Sequence, residues 1–125
     1  MMIHRTPDYP IDPIFLNRWS PRAFDASPMP KSDLLTILEA ARWAPSSYNI
    51  QPWRFLYAYR DDVHWQGYLT LLDPFNLSWA CRASVLVVIL SDTLRDDEGK
   101  VSRKHSRSHS FDAGAAWVQV ALQAS

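Results

Sequence analysis

Two short segments concentrate hydrogen-bonding side chains where prolines restrict the backbone. The first is Asn17-Arg18-Trp19-Ser20-Pro21-Arg22-Ala23-Phe24. Two guanidiniums flank a hydroxyl at i, i+2 and i+4, and Pro21 fixes the chain between them. Arginine meets phosphate or carboxylate with paired, charge-assisted N–H donors, and a serine hydroxyl adds a further one, so the spacing suits an anion clamp. The competing reading is a surface loop whose arginines pair with Asp8, Asp12 or Asp25, contacts that are common and worth little. The second segment is Ala44-Pro45-Ser46-Ser47-Tyr48-Asn49-Ile50-Gln51-Pro52-Trp53-Arg54-Phe55. Its two hydroxyls, two carboxamides and aromatic edge suit a planar ligand with polar edges. Equally, it reads as a turn whose Ser and Asn side chains bond their own backbone.

Other groups carry weaker signals. His105 and His109 stand at i, i+4, a metal-ligand spacing on a helix, but neighbouring Ser and Arg residues favour surface histidines in a loop. Lys100, Arg103, Lys104 and Arg107 form a basic run, with acids beside it, that reads as solvated loop before it reads as a nucleic-acid contact. Cys81 lies among small and apolar residues and is expected to be a buried, structural thiol. Of the six tryptophans, Trp53, beside Pro52, is the one expected near the site, and core packing accounts for most of the others.

Positioning these groups falls to short elements. Asp12 followed by Pro13 is a helix start, giving a helix over Pro13 to Asn17 that Pro21 ends. Leu34, Ile37, Leu38 and Ala41 repeat at helical spacing through Trp43, and Pro45 stops that helix. Residues 44–52 form an ordered loop between prolines. Trp53 to Tyr59 is a β-prone aromatic strand. A helix is expected over Val63 to Leu72, closed by Asp73-Pro74, with a further turn at Leu77 to Cys81. Ser84 to Ser91 lacks polar alternation and reads as a strand buried on both faces. Asp92 to Ser110 is expected to be a long surface loop. Phe111 to Ala124 is apolar on nearly every side, so it should be a helix buried almost all round.

The bulk composition bounds the class. With 125 residues, 47% of them apolar, the chain fits one small globular domain over 1–125. Thirteen basic and thirteen acidic side chains cancel, which removes any overall electrostatic drive toward nucleic acid or anionic lipid. The aliphatic run Val85 to Leu90 is far short of a membrane span, which needs about twenty residues. The single cysteine and the lack of an apolar leader fit a reducing cytoplasm. Two strands and a few helices are too little to cover the last helix. The expectation is therefore a chain that is shortened at its C-terminus or completed by another subunit.

Arg18-x-Ser20-x-Arg22-x-Phe24, followed by Leu34-Leu35-x-Ile37-Leu38-Glu39-Ala40-Ala41-x-x-Ala44-Pro45-Ser46-Ser47-x-Asn49-x-Gln51-Pro52-Trp53-x-Phe55, resembles the amino-terminal part of the nitroreductase family of FMN flavoproteins. Phe75-Asn76, Ser84 to Ser91 and Phe111-Asp112-Ala113-Gly114-Ala115-Ala116 agree in order, so the likeness spans 12–125 and leaves 1–11 as an N-terminal extension. The resemblance implies an α+β fold: a mixed, mostly antiparallel sheet surrounded by helices, with a buried central helix. It also implies FMN as cofactor, NAD(P)H as electron donor, and a nitroaromatic, quinone or enone as acceptor. Arg18 and Ser20 would hold the FMN phosphate and ribityl chain. Arg22 would lie by the pyrimidine edge, where positive charge favours the reduced ring, and Asn76 would bond the flavin or ribityl hydroxyls. Pro45, Ser46, Ser47 and Asn49, with Gln51 in the same motif, would approach the flavin of the opposite subunit of a homodimer. Trp19 stands between Arg18 and Ser20 as a further cofactor-binding position; it and Trp79 depart from the family pattern, Trp79 at a position basic in some members, so charge around the flavin is expected to be lower here. No side chain is nominated as acid, base, nucleophile or metal ligand, because flavin enzymes use the cofactor's own chemistry. The alternative is a catalytically inactive, partner-dependent fragment with weak or no FMN binding.

Overall fold

The computed structural model describes residues 5–96 and 103–125. The basic Lys100 and the acids at 97–98 lie outside the described residues.

Helix α1 (Pro13–Asn17) starts as its sequence dictates. Asp12 Oδ1 accepts from the Ile14 amide at 2.9 Å, and Pro13 occupies the first turn, where an amide hydrogen is not needed. Its last carbonyls are not left open: Arg5 donates to the carbonyls of Leu16 and Arg18.

Helix α2 (Lys31–Arg42) begins three residues before the first apolar position of its repeat, directly after Pro30. Leu34 and Ala41 are buried along its inner stripe. At its C-terminal end Arg42 grips Glu39 through two bonds of 2.8 and 3.0 Å, and Trp43 Nε1 donates to the same carboxylate at 2.9 Å. The hydrogen bonds from Arg42 and Trp43 hold the Glu39 carboxyl down to about 2 against an ordinary 4.5. A depressed folded-state value means that the contribution is complete above the ordinary value and is lost as pH falls through about 2. A carboxyl NMR titration is therefore expected to place Glu39 near 2, and Arg42→Ala to move it upward toward 4.5.

Strands β1 (Trp53–Tyr59) and β2 (Val85–Ser91) pair antiparallel, from Trp53 opposite Ser91 to Tyr59 opposite Val85. Between them lie α3 (Trp65–Leu69) and α4 (Pro74–Ala80). Helix α3 is shorter than the expected 63–72 because the Asp62 side chain and carbonyl bond His64 and Trp65 in a preceding turn. Helix α4 starts three residues before the expected Leu77. Asp73-Pro74 closes one helix but also opens the next, with Asp73 Oδ1 accepting from the Asn76 amide at 3.0 Å. Cys81 follows α4 and is half-buried, not fully enclosed.

Strand β2 is also half-buried along most of its length, where its unbroken apolar sequence predicts burial on both faces. Its strand partner among the described residues is β1 alone, so one edge of β2 and part of its outer face are uncovered. The expected 92–110 loop contains a second small sheet, β3 (Leu94–Arg95) against β4 (Lys104–His105). Arg103 pins this segment, donating to Asp92 at 2.7 Å, Asp96 at 3.1 Å and the Leu94 carbonyl at 3.0 Å.

Helix α5 (His109–Gln123) begins two residues before the expected Phe111. It packs on α2 and on the β1–β2 ribbon. The core at that crossing is made of Ala41, Ala44, Trp53, Ala113 and Ala116, with Phe55, Ala115 and Val120 against it. Ala41 and Ala116 are fully enclosed, and such small side chains let two helices approach at the near end of the usual spacing. Within this chain α5 is covered on that face only: Phe111, Trp117 and Val118 are exposed on its surface.

Candidate functional site

The arginine segment docks on one face of α4. The Arg22 guanidinium lies 5.3 Å from the Phe75 ring centre, and Phe24 stacks on Trp79 at 6.1 Å. Phe75 and Trp79 stand at i, i+4, the spacing that puts two side chains on one side of a helix. Arg18 Nη1 donates to Ser20 Oγ at 3.3 Å. The ion-pair alternative for these arginines is not what forms. Asp12 is used by the α1 cap and Asp25 Oδ1 by the Ser27 amide, and neither Arg18 nor Arg22 meets a carboxylate among the described residues. Trp19 is largely exposed. Asn76 donates from Nδ2 to Asp73 Oδ2 at 2.6 Å, and its amide oxygen makes no bond among the described residues. On the same helix the buried Trp79 Nε1–H finds no partner among the described residues, and neither does the Tyr59 hydroxyl at the end of β1. A buried donor without an acceptor is costly, and in native structures it often marks a place for a ligand or water.

The loop of 44–52 is tied at the other end of the molecule. Ser46 Oγ accepts from the Gln51 amide at 3.0 Å, as the backbone-bonding alternative requires. The side chains of Ser47, Asn49 and Gln51 make no hydrogen bond among the described residues, and those of Asn49 and Gln51 are exposed. Tyr48, Asn49 and Gln51 all have φ of 53–54°, a left-handed conformation that costs a non-glycine residue about 1–2 kcal/mol. The ring of Tyr48 is consequently turned outward and is 87% exposed, with Arg95 5.4 Å from its centre. Pro45 precedes this turn, and Trp53 behind it belongs to the core.

Asp112 anchors the loop. It is 3% exposed, and its Oδ2 accepts from the Ser47 amide at 3.2 Å and from Ser108 Oγ at 2.9 Å. Its place in the first turn of α5 also puts negative charge at the helix end that favours it. Sequence reasoning passed over Asp112. The available signal was a lone carboxylate at the start of a helix otherwise apolar on nearly every face.

His105 and His109 do not share a helical face. His105 is in β4, whereas His109 opens α5 and bonds Ser91 Oγ through Nδ1 at 2.8 Å. No group of three or more metal-ligating side chains occurs among the described residues, and no helix there is long and apolar enough to cross a membrane.

The two candidate segments occupy opposite ends of the β1–β2 ribbon. At one end the Asp92 amide donates to the Pro52 carbonyl at 2.8 Å, next to the loop. At the other, Arg60 donates to the Ala26 carbonyl and Ser84 Oγ to that of Ser27 at 2.7 Å, just beyond the arginine segment. Seven paired residues separate these ends by roughly 20 Å. Arg22 and Phe24 thus meet α4, the helix that carries Asn76, Arg18 bonds Ser20 just before them in the chain, and Pro45, Ser46, Ser47, Asn49 and Gln51 share one loop elsewhere.

Comparison with known proteins gives a consistent family. A model of the nitroreductase family matches residues 16–72. A Bacillus subtilis protein named as an NAD(P)H nitroreductase, YdgI, is 36% identical over 80 residues, covering 63% of this chain and 37% of its own. A solved oxidoreductase containing FMN is 52% identical, with a TM-score of 0.91 over 99% of this chain and 63% of that one. A Desulfovibrio desulfuricans structure described as a nitroreductase in complex with FMN is 26% identical, with a TM-score of 0.69 over 92% of this chain and 63% of that one. The chain therefore spans less than two thirds of the length of each of these relatives.

Proposed function

We propose that this chain, similar in sequence and fold to the nitroreductase family, forms the FMN-binding part of a flavin-dependent oxidoreductase, with each site assembled from two copies. The observation that carries the proposal is the arginine segment: Arg22 on α4 and Arg18 on Ser20, neither with a carboxylate partner among the described residues, with the indole N–H of Trp79 on the same helix buried without an acceptor there. Arg18 and Ser20 would hold the phosphate, and Arg22 would set positive charge against the flavin ring. Asn76 has its amide oxygen available for ribityl hydroxyls. Trp79 would supply a neutral donor at a position where some relatives have a cation. Bound FMN would supply two-electron exchange between NAD(P)H and a nitroaromatic, quinone or enone acceptor.

The ends of the ribbon beside the two segments are about 20 Å apart, and the resemblance gives the second segment to the flavin of another copy. A second copy supplies it from across an interface, and the exposed Phe111, Trp117 and Val118 on α5 offer apolar surface for that contact. Sedimentation is expected to give a dimer, and Trp117→Glu to weaken association at least about tenfold by placing a charge in the contact. FMN binding measured across a protein-concentration series should track the dimer fraction. A monomeric chain that binds FMN at full strength would overturn the shared site.

A further inference from the structure

Arg60 follows the last residue of β1 and directs its side-chain donors to backbone carbonyls of two other parts of the chain. Nη2 donates to the Ala26 carbonyl, just beyond the arginine segment, and Nη1 to the Arg82 carbonyl at 3.0 Å, just beyond the end of α4. Arg60 forms no salt bridge among the described residues. One guanidinium therefore joins the tail of the segment to the tail of the helix on which Arg22 and Phe24 dock. Neighbouring contacts close the same junction. Ser84 Oγ donates to the Ser27 carbonyl at 2.7 Å, the Ser27 amide to Asp25 Oδ1 at 2.8 Å, and the Arg60 amide to the Ser84 carbonyl at 2.9 Å. Ala26 itself has φ of 67°, a left-handed conformation that a residue with a Cβ keeps only where its surroundings hold it.

We infer that Arg60 is a positioning residue: its bridge from Ala26 to Arg82 fixes the arginine segment against α4 and so keeps Arg22 on Phe75 and Phe24 on Trp79. Phe24 is two residues from the anchored Ala26, which confines it to within about 7 Å of that point. A charged donor strengthens each bond to a carbonyl, and a planar fork that meets two carbonyls at once loses less freedom per bond than two separate side chains would. Toward a bound flavin the role is indirect, exerted through Arg22. That the bridge tunes FMN affinity rests on the flavin proposal; that it holds the segment on α4 does not.

The test is a double-mutant cycle on the full chain, read by FMN affinity and, without FMN, by NMR. Arg60→Met keeps the aliphatic stem and loses the donors. It is expected to weaken FMN binding about five- to tenfold. Backbone order parameters over 22–27 should fall below about 0.6 and the NOEs between the Phe24 and Trp79 rings should weaken, with β1 and β2 as rigid as in the wild type. In an Arg22→Ala background the same substitution should change FMN affinity less than about twofold, because the residue through which Arg60 acts is gone, whereas a general loss of stability would add in full. Arg60→Lys keeps the charge without the fork and should show the same changes at smaller size, so the result does not depend on one variant folding. Wild-type order over 22–27 in both variants, unchanged affinity in a chain that binds FMN, full additivity in the cycle, or complete recovery by lysine would each overturn the inference. A segment loosened by Arg60→Met in a chain that binds no FMN supports the positioning role and sinks the flavin proposal alone.

Discussion

Asp112→Ala is expected to lower the stability of the chain by about 2–3 kcal/mol. The carboxylate is buried and receives both the Ser47 amide and the Ser108 hydroxyl, so its removal leaves two partly buried donors unsatisfied at once. It also removes the polar tie between the loop and α5, two parts of the chain 65 residues apart in sequence. Loop residues in left-handed conformations relax when their anchor goes, since nothing else then offsets their backbone cost. Chemical denaturation should therefore register the loss, and amide exchange should rise first over 46–51. Asp112→Asn keeps the shape and one acceptor oxygen, and should cost about half as much. A wild-type exchange profile in the Ala variant would show that the loop is held by its own turn geometry instead.

Arg18→Ala is expected to weaken FMN binding about 10- to 100-fold, since a charged hydrogen bond is worth about 1.5–3 kcal/mol and 1.4 kcal/mol is tenfold. The structural cost should be slight. The Arg18 side chain hydrogen-bonds Ser20 alone among the described residues, and the bond from Arg5 goes to its backbone carbonyl, which alanine retains. An unchanged melting temperature of the protein without FMN, together with the affinity loss, separates a binding role from a folding one. Arg18→Lys keeps the charge but not the paired donors and should fall between the two. The loss should shrink as salt rises, because part of it is electrostatic.

What the sequence made legible follows from how local the determinants are. Asp12-Pro13 carries its own cap and first turn, and Trp53 to Tyr59 is β-prone throughout; both elements form with the expected bounds. Asp73-Pro74 was ambiguous for the same local reason: a proline that ends one helix is a favoured first residue of another. The 92–110 segment reads as loop because its two-residue strands are too short for any periodicity, and their pairing depends on Arg103 reaching Asp92. Helix α5 was read as enclosed because its sequence is apolar nearly all round, yet composition does not say which chain supplies the cover.

The candidate site divides along the same line. Arginine, serine and proline at fixed spacing mark the clamp at Arg18, Ser20 and Arg22, and the structure leaves those arginines free of carboxylates. The docking of Arg22 on Phe75 and of Phe24 on Trp79 joins segments more than fifty residues apart, which spacing does not report. Asp112 was missed for a related reason. It is an ordinary polar residue in sequence, and only burial against a distant segment gives it weight.

The most direct test of the central claim is titration of the purified chain with FMN, reading flavin fluorescence and melting temperature together. Binding at the arginine cluster predicts quenched flavin emission at one FMN per chain and a melting temperature that rises with FMN concentration, with both responses weakened in Arg18→Ala. Unchanged emission and an unchanged melting temperature at saturating FMN, in a chain that is folded and dimeric, would contradict it.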